Sequence, residues 1–88
     1  MDSQVRMRMN EIIAEVQRQL DSAALQQDLH LRIRPQDSTF EDDWFYIGVE
    51  PGRPGEHASD HAKLMSDIEK DLWRRGPSNV LLVPVISD

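Results

Sequence analysis

The chain has 88 residues, 16 of them acidic against 10 basic, with no cysteine and 39% apolar content. A chain this short holds one core, so a single soluble acidic domain over residues 1–88 is expected. The absence of cysteine excludes disulfide scaffolds, thiol catalysis and zinc fingers, and a net charge of −6 suits a basic protein partner better than a polyanion.

The first residues, Met1-Asp2-Ser3-Gln4-Val5-Arg6, lack the apolar run of a signal peptide, and no stretch approaches the ~18 residues of a membrane span. A cytoplasmic protein without membrane contact is the expectation. Val5, Met9, Ile12, Ile13, Val16 and Leu20 then recur at steps that share one helical stripe, which predicts a helix over about 3 to 27. Asp2 or Ser3 supplies the start signal, and Asp28 lies near the end. Arg6, Arg8, Glu11, Glu15, Gln17 and Gln19 read as its solvated face.

Leu29-His30-Leu31-Arg32-Ile33-Arg34 alternates with period two, the pattern of a half-buried strand, and Pro35 is expected to close it. Residues 35 to 43 read as a polar connection. Its acidic members Asp37, Glu41, Asp42 and Asp43 lack the spacing and central glycine of a calcium loop, leaving a solvated loop or a docking patch for a basic partner. Trp44 to Glu50 is rich in strand formers, so the two strands are expected to form an antiparallel hairpin. Pro51-Gly52-Arg53-Pro54-Gly55 is a turn that ends the second strand. His61, Leu64, Met65, Ile68 and Leu72 predict a second helix over about 57 to 75, stopped by Gly76-Pro77. The apolar run from Asn79 to Ile86 reads as a third strand.

The resulting order is α-β-β-α-β, an α+β two-layer sandwich with both helices on one face of a three-stranded mixed sheet. A right-handed crossover makes the second and third strands parallel. This element order resembles that of type II KH domains, although their Gly-x-x-Gly loop is absent. The nearest string, Gly52-Arg53-Pro54-Gly55, lies in the turn before the second helix. The resemblance implies, as an alternative function, an RNA-binding module whose contacts depend on Arg32 and Arg34.

The leading site follows from the pleat. If the helices cover Leu31, Ile33, Phe45, Ile47 and Val49, the other face carries His30, Arg32, Arg34, Trp44 and Tyr46. Either Val80, Leu82 and Ile86 or Leu81, Val83 and Val85 stand alongside, with Leu82 taken as the third strand's contribution. Aromatic residues beside arginines are typical of interface anchors, and the opposing explanation is that they only cover the sheet over the arginine stems. A third strand apolar on both faces, yet marked as an edge by Pro84, suggests that a partner covers the open face or extends the sheet. The simplest such partner is a second copy.

The remaining candidates are weaker. His57 and His61 are four apart and, with Asp60, resemble half of a divalent-metal site, but a third ligand and the Glu of His-Glu-x-x-His are missing. His61 also falls on the apolar stripe. Ser59, two residues from each histidine on one helical turn, faces neither. No catalytic residue and no cofactor are predicted, and metal binding or an enzyme at His57 and His61 is a further alternative. The expected function is therefore protein interaction, with self-association included, through Trp44, Tyr46, Arg32, Arg34, His30 and Leu82.

Overall fold

A computed structural model describes residues 3–75 and 79–85 of the chain. The elements are α1 (Ser3–Gln26), β1 (Leu31–Glu41), β2 (Trp44–Pro51), α2 (Ala58–Arg75) and β3 (Val80–Pro84). The start signal at Asp2, the stop at Gly76-Pro77 and the third-strand residue Ile86 lie outside the described residues.

The sheet order is β1-β2-β3, with β1 antiparallel and β3 parallel to the central β2. Both helices lie on one face, so the predicted α+β layout of two helices and a mixed sheet is the architecture of the chain. The apolar stripe of α1 buries Met9, Ile12, Val16, Leu20 and Ala23, and that of α2 buries Leu64, Met65, Ile68 and Leu72. They close over Leu31, Phe45, Ile47, Val49, Val80 and Leu82, forming one continuous core. The shortest dimension of the molecule, 18 Å, fits one helix layer on one sheet. The helices run antiparallel: Gln19 donates to Asp71 at 2.9 Å, while Arg75, which pairs with Asp71, reaches Glu15 at 3.6 Å.

Two sequence expectations are corrected in the hairpin. Pro35 does not close β1, which runs on to Glu41. Gly52 N–H donates to the His30 carbonyl, and by alternation Arg32 and Arg34 bond to β2 while Leu31, Ile33 and Pro35 direct their backbone groups outward. A residue without an N–H costs no ladder bond in that phase. The register then shifts between Arg34 and Thr39, and a hydroxyl fills the gap: Ser38 Oγ accepts from Gly48 N–H at 3.1 Å and donates to the Arg34 carbonyl at 3.0 Å.

Residues 35 to 43 are therefore not a polar loop. The connection is the two-residue turn Asp42-Asp43, both with positive φ (53° and 66°), which is the type I′ geometry whose twist matches a hairpin. Phe40, on the extended part of β1, packs on Phe45 with ring centroids 4.7 Å apart. The acidic run is thus divided between a bulge, a strand end and a turn.

Candidate functional site

The register settles which side chains stand on the uncovered face. Arg32 pairs with Glu50, Arg34 with Gly48 and Thr39 with Tyr46 across β1 and β2, while Tyr46 pairs with Leu81 and Gly48 with Val83 across β2 and β3. The alternation places Arg32, Arg34, Tyr46, Leu81 and Val83 together, opposite the helices. Among these Val83 is 39% exposed, and Tyr46 and Leu81 are half-buried.

Of the predicted site residues, Arg32, Arg34 and Tyr46 share this face as expected. Leu82 does not: it pairs with Ile47 and is 6% exposed beneath the helices, so Leu81 and Val83 take its place. A strand apolar on both sides carries no internal mark of which side is inward. Trp44 belongs to the same phase but sits at the start of β2, where its ring meets Trp73 of α2 edge-on at 6.4 Å. The second aromatic residue of the expected pair is thus engaged at the end of the sheet.

The arginines are neutralised locally. Arg34 Nη1 donates to Glu50 at 2.9 Å and Nε approaches Asp37 at 3.0 Å, while Arg32 reaches Glu50 at 3.2 Å. The Glu50 hydrogen bond, partly opposed by desolvation, raises the Arg34 guanidinium above its ordinary value. The face therefore offers a strip of paired charges of both signs beside an apolar row, not a bare cationic surface for phosphates. Glu50 and Asp37 were absent from the expected site, although period two places Glu50 on the face of Tyr46.

The outer edge of β3 is partly capped by α2. Phe45 N–H donates to the Asn79 carbonyl and Val85 N–H to the Val49 carbonyl, so the odd-numbered residues of β3 bond inward and the even-numbered ones outward. Each outward position except the last has a cap from α2. Trp73 Nε1 donates to the Val80 carbonyl at 2.8 Å, Glu69 accepts from Leu82 N–H at 2.7 Å, and Pro84 has no N–H. A partner strand extending the sheet here would have to displace these two caps, a common way for sheets to discourage unwanted pairing.

His30 leaves the open face for a cluster at the other end of the sandwich. Glu56, in the connection before α2, accepts from His30 N–H at 2.8 Å. The same carboxylate contacts His30 Nδ1 and His61 Nε2, each at 2.6 Å. The backbone bond from His30, then the two imidazoles, hold the Glu56 carboxyl down to about 2. His61 is 7% exposed, whereas His57 is exposed and is not part of the cluster. The proposed His57–His61 pair is replaced by His30–Glu56–His61, a combination spread over 31 positions that spacing along one helix does not reveal. No group of three or more His, Cys, Asp or Glu able to hold a metal occurs among the described residues.

His61 also lines a cavity of about 520 Å³ between the N-terminal half of α2 and the end of the sheet, walled by Leu31, Val49, Met65, Leu82 and Pro84. Among the described residues, no helix is long and apolar enough to cross a membrane. No family model, no curated protein and no solved structure matches the chain.

Proposed function

We propose that the protein is a small interaction module that pairs with a second copy of itself through the open face of its sheet. The observation that carries this reading is the apolar row Tyr46, Leu81 and Val83, uncovered by any helix and bordered by Arg32, Arg34, Asp37 and Glu50. An apolar strip rimmed by charge is the usual form of an association surface. Charges of both signs in one patch suit a two-fold contact, because each copy then offers the other both partners. The capped edge of β3 favours stacking of faces over extension of the sheet. A standard interface needs about 800 Å² per partner, a modest share of a total surface of 5932 Å². The absence of cysteine fits a cytoplasmic setting for such a module.

Light scattering on a size-exclusion column, over a hundredfold range of concentration, tests the reading. The expected mass is near twice 10.2 kDa at the upper end. Val83→Lys should return it to the monomer with an unchanged circular dichroism spectrum. A monomeric mass at every concentration overturns the reading, as does a dimer indifferent to Val83→Lys.

A further inference from the structure

We propose that the cavity beneath α2 is a binding site for a small, uncharged, apolar molecule of the class of a medium-chain alcohol. The site lies away from the face assigned to self-association and rests on separate observations. Its volume of about 520 Å³ is within the range of small-molecule pockets. Leu31, Val49 and Leu82 from the three strands, with Met65 of α2, give it apolar walls. On the helix side it is lined by the short side chains of Ala58, Ala62 and Ser66, one turn apart, so a longer residue at these positions would narrow it. Water filling such a space meets few polar partners, and an apolar occupant gains the carbon surface that it covers.

The charge of the ligand follows from the ionisable groups of the wall, each of which already has a partner. Glu69 accepts from Leu82 N–H at 2.7 Å, and His61 Nε2 meets Glu56 at 2.6 Å. Among the described residues, no lysine or arginine lines the cavity. A carboxylate entering here would have the Ser66 hydroxyl as a donor but no cation, with Glu69 in the same wall. An ammonium group would compete with Leu82 N–H for Glu69, the residue that caps that strand edge. Either ion gives up its hydration for a partner that is neutral or already engaged, which costs more than one shared hydrogen bond returns. An uncharged hydroxyl costs far less to bury, and the hydroxyl of Ser66 offers it a donor or an acceptor.

The test uses the full chain labelled with 13C at the methionine methyl groups, titrated at pH 7 with octanol, hexanol, octylamine and octanoate. Met65 lines the cavity, while Met7, 63% exposed on α1, serves as the internal control. The expected result is a saturable shift of the Met65 methyl with octanol and no shift at Met7. Hexanol, shorter by two methylene groups, should bind about fifteenfold more weakly if the chain is buried. Octylamine and octanoate should each bind at least tenfold more weakly than octanol. Ala62→Trp, at an exposed position on the rim, should keep the circular dichroism spectrum and weaken octanol at least tenfold. The proposal fails if Met65 does not respond, if either ion binds as tightly as octanol, or if hexanol and octanol bind alike. It fails equally if a folded Ala62→Trp binds as the wild type does, or if light scattering finds a dimer that Ala62→Trp dissociates, because a second copy then occupies the cavity.

Discussion

The indole nitrogen of Trp73 donates to the backbone carbonyl of Val80 at 2.8 Å, so the last turns of α2 close the edge of the strand that follows it. Glu69, four residues earlier and one turn along the same helix, closes the next outward position by accepting from Leu82 N–H. Removing either cap exposes a strand edge as well as a broken bond. Trp73→Phe, which keeps a ring for Trp44, should cost about 1 kcal/mol in urea unfolding. Glu69→Ala should cost about 1 to 2 kcal/mol and raise light scattering on incubation, whereas Glu69→Gln, which retains an acceptor, should do neither to the same extent.

The bulge in β1 depends on one hydroxyl and one missing side chain. Ser38 Oγ links Gly48 N–H to the Arg34 carbonyl, and Ser38→Ala leaves both without that partner, at an expected cost of about 1 to 2 kcal/mol. Ser38→Thr keeps the hydroxyl and should recover most of the loss. At Gly48 a Cβ would lie 3.0 Å from Asp37 Cβ, 3.0 Å from Val85 Cγ2 and 3.1 Å from the Asp37 carbonyl oxygen. Two of the three belong to the bulge itself, so relief means moving backbone. Gly48→Ala should therefore destabilise by about 1 to 3 kcal/mol, and near-native stability of this variant in urea would mean that the bulge yields.

Helical spacing was legible because a stripe such as Met9, Ile12, Val16 and Leu20 has one packing solution, and that solution is the core. The extent of β1 was not, because Pro35 breaks a strand only where its N–H would have been needed, and its phase follows from a register set across the sheet. The inward side of β3 was equally hidden. Val80 and Leu82 are no more apolar than Leu81 and Val83, and α2 packing decides between them. Arg32, Arg34 and Tyr46 were placed correctly by alternation alone. His30 was not, because Glu56, 26 residues away, draws it to the end of the sandwich.

The turn at Asp42-Asp43 holds two carboxylates side by side, each in the left-handed region that β-carbons disfavour. Glycine at the second position is the common solution for this turn type. Asp43→Gly should thus raise stability by about 0.5 to 1 kcal/mol without moving the register. An Asp43→Val variant should lower it by more, since a β-branched side chain tolerates φ near 66° poorly. Thermal unfolding of the three proteins at one pH gives the order, and an unchanged midpoint for Asp43→Gly would mean that the aspartates gain locally what they lose in strain.

Glu56 ties part of the stability of the fold to pH. Its carboxyl is held at about 2 against an ordinary value of 4.5, by the His30 N–H first and then by the His61 and His30 rings. A carboxyl with a lowered folded value contributes stability that is fully present above 4.5 and is lost as pH falls through about 2, below which both folded and unfolded chains bind the proton. Urea midpoints measured from pH 6 to pH 2 should therefore decline most steeply below 4.5. Glu56→Gln, which cannot ionise, should start lower at pH 6 and decline less across that window. Parallel profiles for the two proteins would transfer the acid sensitivity to the other carboxylates, such as Asp71, where desolvation is outweighed by the hydrogen bonds from Arg75 and Gln19 and the carboxyl is lowered.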